Sequence, residues 1–136
     1  MSETERPRGI MQHFKITLDT TGEVIASEAQ RANGLFAKAI GLIGRASMPS
    51  GSALIIPSCK CIHMLFMRFP IDAVFCNHEG EIVEIARNLR PWSTSPYVSK
   101  ASYVIEFASG VASGLSVGET LRIEPVNPSA RERAGN

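Results

Sequence analysis

Residues 66–85 read FMRFPIDAVFCNHEGEIVEI and give the clearest structural signal in the chain. Within this stretch, residues 73–76 and 81–85 are short runs of apolar and β-branched residues, which are typical of β-strands. The intervening residues 77–80 are polar and end in Gly80, which supplies the left-handed backbone conformation that a tight turn requires. The stretch therefore predicts a β-hairpin in the middle of the chain.

The segments on both sides of this hairpin also predict strands. Phe14, Ile16 and Leu18 alternate with polar residues, which is the period of a half-buried strand. Short apolar or alternating runs between turn residues predict the others. These further strands cover residues 24–26, 53–56, 61–67, 103–107 and 119–123.

A longer period begins at Ser27, and either Ser27 or Asn33 is a possible N-cap of a helix. From there apolar residues recur at steps of three and four, which predicts the principal helix of the domain. The residues that set this period are Ala29, Ala32, Leu35, Phe36, Ala39, Ile40 and Ile43. With a helical turn near residues 111–115, the pattern predicts an α+β fold that is predominantly β. We expect a small, partly closed β-barrel of about seven short strands with one principal helix.

Length and charge limit the possible functions. A chain of 136 residues with a formal net charge of +1 supports one domain. We expect a flexible N-terminal segment at residues 1–11, a single domain at residues 12–124 and a flexible C-terminal tail at residues 125–136. The near-neutral charge argues against a nucleic-acid partner, and no apolar run approaches the ~20 residues that span a bilayer.

The three cysteines, Cys59, Cys61 and Cys76, are too few and too clustered for a disulfide framework. The charged first residues lack the apolar run of a secretory signal, so we expect a reduced, cytoplasmic protein unless an export signal has been removed. On a strand, Cys59, Cys61 and His63 would share one face and are weak candidates for a metal site. Their spacing is narrower than ordinary ligand spacing. Structural thiols are therefore favoured, and neither a metal nor a cofactor is predicted.

Arg68 and Asp72 are the only charged residues in the apolar stretch 62–76. Because a buried charge is costly without a partner, these two either face solvent or are paired. The favoured interpretation is an ion pair that fixes the Phe69-Pro70 corner. The alternative is an arginine that holds a carboxylate or phosphate of a ligand.

The loop at residues 87–97 contains the only tryptophan, Trp92, together with Arg87, Arg90 and Tyr97. Arginine and aromatic residues on a long polar loop are typical of a recognition surface. An equally weighted alternative is that Trp92 folds back and caps one end of the barrel.

Four motifs in the chain resemble one family. They are GLIGR at residues 41–45, HMLFMRFPIDAVF at residues 63–75, YVIEFASG at residues 103–110 and VGETL at residues 117–121. Together they resemble the DUF192 (UPF0127) family, and the resemblance covers most of residues 12–124. Its most specific part is an aromatic-Met-Arg signature followed by Pro-hydrophobic-Asp, which falls on Phe66, Met67, Arg68, Pro70 and Asp72.

The resemblance implies a small, mainly β protein without an established activity. The glutamate of the family's late strand falls on Glu106, and the glycine that follows it falls on Gly110. Cys61 lies outside the family's pattern, which further weakens a three-ligand metal site. Phe66, Met67, Pro70 and Gly110 are expected to be structural parts of the signature.

We predict a non-catalytic binding or accessory module that recognises a small anionic or polar ligand or a peptide segment. Residues 37–100 contain seven Lys/Arg against four Asp/Glu, which favours an anionic partner. The alternatives are a hydrolase that uses His63 with Asp72 or Glu106, and a structural partner in an envelope or pilus assembly. The candidate ligand-binding residues are His63, Arg68, Asp72, Arg90, Trp92 and Glu106.

Overall fold

The computed structural model of the protein describes residues 13–32, 47–65 and 67–126. These residues form seven β-strands. In chain order the strands are β1 (His13–Leu18), β2 (Val24–Arg31), β3 (Ser52–Pro57), β4 (Ile71–Cys76), β5 (Ile82–Leu89), β6 (Tyr103–Ala108) and β7 (Leu121–Pro125). A 3-10 turn at Val111–Gly114 is the only helical element in the described ranges.

The strands form one mixed sheet in the order β5-β4-β6-β3-β2-β1-β7. β2 and β3 pair in parallel, and every other neighbouring pair is antiparallel. The two edge strands also meet at their first residues. There the Ile82 N–H donates to the Glu119 carbonyl at 2.8 Å, and the Leu121 N–H donates to the Gly80 carbonyl at 2.9 Å. The sheet is therefore a half-barrel whose edges touch at one point.

The prediction of one principal helix is wrong. Ser27, one of its two possible starts, lies inside β2, and the described residues contain no α-helix. Ala26 and Ala29 pair with Ile16 and Phe14 of β1, so three steps along β2 match two along β1. Such a β-bulge returns a residue to the buried face after three positions, which imitates helical spacing. The rest of the predicted helix, from residue 33 onward, lies outside the described residues, and the predominantly β class is confirmed.

Both faces of the central strands β3, β4 and β6 are buried, and their successive side chains point into cores on opposite sides of the sheet. The inner core, inside the half-barrel, contains Ile16, Ala29, Ile55, Val74, Ile82, Ile105, Phe107 and Leu121. The outer core, on the other face, contains Leu54, Ile56, Ile71, Ala73, Phe75 and Val104, and is covered by Ile62, Met64, Met67 and Ala101.

The segment between β3 and β4 covers the outer core instead of adding a strand to the sheet. The strand predicted at residues 61–67 is reduced to a single bridge between His63 and Thr94. Phe66 and the predicted flexible segments, except for residues 125 and 126, lie outside the described residues. No helix in the described part of the chain is long and apolar enough to cross a membrane.

Candidate binding surface

Two loops run side by side over the outer core, and we call residues 60–65 and 90–98 the loop pair. The Met64 N–H donates to the Ser93 carbonyl at 2.8 Å, and the Trp92 N–H donates to the Met64 carbonyl at 2.7 Å. Further along, the Ser95 N–H donates to the Ile62 carbonyl at 2.9 Å. These backbone hydrogen bonds hold the two loops side by side, although neither loop is part of the sheet.

The local sequence explains why one loop has two different faces. Ile62 and Met64 are buried, whereas His63 and Leu65 between and after them are exposed. This alternation anchors the loop on the outer core and leaves every second side chain available at the surface. Ser95 adds a buried polar anchor, since its hydroxyl accepts the Ile62 N–H at 2.9 Å.

Three large apolar or aromatic side chains project from the loop pair. The exposed fraction is 48% for Leu65, 61% for Trp92 and 70% for Tyr97. Trp92 also has a backbone φ of +67°, a region that bulky residues rarely adopt. Strained backbone of this kind persists where the surrounding structure enforces it, and it is concentrated at functional sites. Trp92 therefore does not cap the half-barrel, because most of its surface faces solvent.

An open groove of about 700 Å³ adjoins the loop pair. It is lined by Ser58, Cys59, Lys60, Cys61, Tyr97, Ala101 and Ser102. The Lys60 ammonium donates to the carbonyls of Ser99 and Ala101 at 2.7 and 2.6 Å, which fixes one wall. Because Lys60, Cys61 and Tyr97 belong to both features, the groove and the exposed loop face form one continuous surface.

This surface is built from segments without a single carboxylate. Residues 58–70 and 90–102 contain Lys60, Arg68, Arg90 and Lys100, together with His63, and no Asp or Glu. Arg68, Arg90, Lys100 and His63 are exposed. A cluster of one sign creates a potential that attracts the opposite charge and raises the rate of encounter with it. These two segments therefore carry a net positive charge.

Asp72 is part of the scaffold and not of this surface. One carboxylate oxygen accepts the Asn88 N–H at 2.8 Å, and the other accepts the N–H groups of Gly110 and Ala112 at 2.9 and 3.0 Å. Its side chain is 1% exposed and lies on the inner face of the sheet, beside the 3-10 turn. The charge that suggested a pair with Arg68 is thus balanced by three backbone donors.

Glu106 is buried on the opposite face from Asp72. It pairs with Leu54 on β3 and Ala73 on β4, whose side chains belong to the outer core. The side chain is 6% exposed, and none of the described residues donates a hydrogen bond to it. Burial raises the pKa of this carboxyl to about 7. The sequence placed both acids at one site, but the alternation of two paired strands separates them.

The candidate residues therefore divide into two groups. The structure places His63, Arg90 and Trp92 on the loop pair and leaves Arg68 exposed on the same covering segment. Asp72 and Glu106 are buried in the sheet, and neither forms a hydrogen bond with His63 in the described part of the chain. Sequence reasoning missed the lining roles of Lys60 and Tyr97, although the lack of acidic residues around both could have indicated them.

The thiols of the groove make weak local contacts. Cys59 Sγ lies 3.2 Å from the Cys61 carbonyl oxygen, and Cys61 Sγ lies 3.7 Å from the Ser95 carbonyl oxygen. Cys59, Cys61 and Cys76 form no disulfide with one another. Within the described ranges, no group of three His, Cys, Asp or Glu side chains is arranged to hold a metal ion.

Comparison with known proteins places the fold and the signature in one family. The sequence pattern of DUF192, described as "Uncharacterized ACR", matches residues 16–123. The chain belongs to the DUF192 family. It is 40% identical over 65 residues to a UPF0127 protein of Pyrococcus furiosus, and 34% identical over 98 residues to one of Thermococcus sibiricus. These matches cover 46% and 68% of this chain, and 53% and 62% of the relatives' own lengths.

Solved structures of low sequence identity have the same fold. A protein of unknown function from Novosphingobium aromaticivorans superimposes with a TM-score of 0.71 at 20% identity, over 90% of this chain and 97% of that one. A protein from Sinorhizobium meliloti superimposes with a TM-score of 0.70 at 20% identity, over 84% and 94% of the two chains. At this identity the likeness establishes the DUF192 half-barrel and no activity.

Proposed function

We propose that this DUF192 protein is a non-catalytic binding module whose loop pair and adjoining groove take an acidic peptide segment. One observation carries the proposal: Leu65, Trp92 and Tyr97 are exposed on segments that contain four cationic residues and no carboxylate. Exposed large apolar side chains among arginines are characteristic of interaction surfaces.

The shape of the surface favours a peptide over a small molecule. Pockets for small ligands are concave and bury most of the ligand's surface. The groove has a volume of about 700 Å³ and is open to solvent. It adjoins the exposed face of the loop pair. An extended chain can occupy the groove beside Tyr97 and continue across Trp92, which a compact ligand cannot do.

Each side chain has a distinct role in this proposal. Trp92 and Tyr97 supply rigid contact area at a low cost in side-chain entropy. Arg90 and Arg68 offer planar guanidinium groups that pair with carboxylates in a bidentate manner. His63 is exposed on the loop pair and adds a further donor.

A hydrolase that pairs His63 with Asp72 or Glu106 has less support. Asp72 faces the inner core with both oxygens bound to backbone donors, and His63 lies on the segment that covers the outer core. Glu106 is buried and His63 is exposed. General acid–base catalysis needs side chains that converge on one substrate within hydrogen-bond reach.

Trp92 is the only tryptophan of the chain, so its fluorescence reports directly on the proposed surface. We expect an acidic peptide of about ten residues, built from Glu, Ser and Leu, to shift Trp92 emission to shorter wavelength in a saturable manner. Raising the salt concentration should weaken the binding, because the Debye length falls to ~8 Å at 0.15 M. A peptide with Lys in place of Glu should leave the emission unchanged.

Arg90→Gln tests the charge on the loop pair, with Lys15→Gln as the matched control. Lys15 is an exposed cation on β1, three strands away from β6. Loss of a charge-assisted contact should weaken peptide binding about three- to tenfold in the first variant and leave it unchanged in the second. Equal binding by both variants, or an unshifted spectrum with every acidic peptide, would contradict the proposal. An emission shift of the same size with free glutamate would instead assign the surface to a small anion.

A further inference from the structure

A second cavity lies on the other side of the sheet from the loop pair. It has a volume of about 200 Å³ and opens at the end of the half-barrel where β1 begins and β2, β3 and β7 end. We call it the mouth pocket. Its lining consists of Phe14, Arg31, Ile55, Pro57, Tyr103 and Ile123.

The register of the strands explains why these residues meet. Phe14 lies two residues before Ile16, and Arg31 lies two residues after Ala29, so each follows an inner-core residue on its own strand. Ile55, Tyr103 and Ile123 also belong to or pack against the inner core. The mouth pocket is therefore the open end of the inner core, and its walls are mostly apolar.

Among the described residues that line the pocket, Arg31 is the only charged one. It lies at the last position of β2 and is exposed, and no described residue forms an ion pair or hydrogen bond with its guanidinium. Glu28, the only acid of β2, lies 3.6 Å from the His13 imidazole. The stem of an arginine can line an apolar wall while its head group reaches water at the rim.

The polar group in the wall of the pocket is neutral. The Tyr103 hydroxyl forms a hydrogen bond with the thiol of Cys76, which is fully buried in the inner core. Burial raises the pKa of Cys76 to about 12 and raises the pKa of Tyr103 as well. Both groups are therefore uncharged at neutral pH, and the charge among the described lining residues is the positive charge of Arg31.

From this geometry we infer that the mouth pocket binds a monocarboxylate with a compact apolar tail. The apolar walls accept the tail, and the Arg31 guanidinium pairs with the carboxylate at the rim. The cavity of about 200 Å³ has room for the ring of benzoate or the chain of hexanoate. This site shares no residue with the loop pair and does not depend on the function proposed there.

Titration with benzoate, followed by NMR signals of Phe14 and Tyr103, tests the inference. We expect saturable shifts with benzoate and hexanoate. Benzamide lacks the charge, hexylamine carries the opposite charge and acetate lacks the tail, so each should bind at least about tenfold more weakly. The sole tryptophan, Trp92, provides a control, because its emission should stay constant while the pocket fills.

Arg31→Gln should weaken benzoate binding about tenfold or more, while Lys15→Gln on the neighbouring strand leaves it unchanged. Ile123→Phe fills the pocket and should abolish the shifts even though Arg31 is intact. Thermal melting of all three variants establishes that they are folded. Equal binding of benzoate and benzamide, unchanged affinity in Arg31→Gln, or no saturable shift in the wild-type protein would each overturn the inference.

Discussion

Asp72 and Glu106 are buried carboxyl groups on neighbouring strands, and they differ in what surrounds them. Asp72 accepts three backbone N–H groups and ties β4 to residues 88, 110 and 112. Glu106 accepts no hydrogen bond from the described residues and lies among aliphatic side chains of the outer core. The backbone donors therefore compensate the desolvation of Asp72, whereas burial without such donors disfavours the ionised form of Glu106.

The pKa of Glu106 leads to a prediction about stability. Burial raises it from 4.5 to about 7 in the folded protein, so the folded state holds a proton that the unfolded state releases. The free energy of unfolding should consequently fall as pH rises from about 4.5 to 7 and then level off, by about 3 kcal/mol in total. Glu106→Gln should remove this fall, and urea unfolding at pH 4.5 and pH 8 measures it.

Glu79→Gln is the matched control for this experiment, because Glu79 is an exposed carboxyl in the hairpin turn. It should retain the decline of stability with pH. A Glu106→Gln protein whose stability declines as much as that of the wild type would show that Glu106 is not the group responsible.

At the scale of elements, the contact between the two sheet edges depends on one glycine. Gly80 has a φ of +90°, and a Cβ added there would lie 2.6 Å from the carbonyl oxygen of Leu121. The same segment holds β7 through the bond from the Leu121 N–H to the Gly80 carbonyl. Gly80 thus serves both the hairpin turn and the approach of β5 to β7.

Gly80→Ala should destabilise the protein through two effects, the left-handed backbone and the clash with Leu121. Gly22 separates them, because its φ is +77° and an added Cβ would meet nothing within 4 Å. We expect Gly22→Ala to cost about 1–2 kcal/mol for the backbone alone. Gly80→Ala should cost more than that, measured by urea unfolding. Equal losses in the two variants would mean that the close approach to β7 does not contribute.

Local sequence predicted most elements but not the nature of β2. The hairpin at residues 73–85 has its turn glycine and its alternating apolar residues in one continuous segment, so nothing distant is needed to form it. Taken alone, the spacing of Ala26, Ala29 and Ala32 fits a helix as well as it fits a bulged strand. Pairing with β1 on one side and β3 on the other decides for a bulged strand. The parallel pairing with β3 joins residues of separate segments, such as Ala29 and Ala53, and leaves no local signal.

On the scale of the whole molecule, one sheet supports two cores. β3, β4 and β6 contribute side chains to the inner core and, one residue later, to the outer core. Neither core can lose its packing without disturbing strands that the other needs. The loop pair is attached to this shared framework through Ile62 and Met64.

We therefore expect the half-barrel to unfold as one cooperative unit. Trp92 emission reports on the loop pair over the outer core, and far-ultraviolet circular dichroism reports on all seven strands. Their urea transitions should have the same midpoint and the same slope. A transition of Trp92 at clearly lower urea concentration would show that the loop pair separates from the sheet before the sheet unfolds.

The sequence by itself determined the predominantly β class, most of the strands, the hairpin and the family signature. These features depend on the alternation of apolar and polar residues, on turn residues and on the spacing of the signature residues. All of these act over a few neighbouring positions. Only the tertiary structure decided that Asp72 and Glu106 lie on opposite faces, that Trp92 projects into solvent and that Arg31 meets Tyr103 at the mouth pocket. Each of these depends on strand register and on which strands are neighbours, and those are set by the packing of residues distant in the chain.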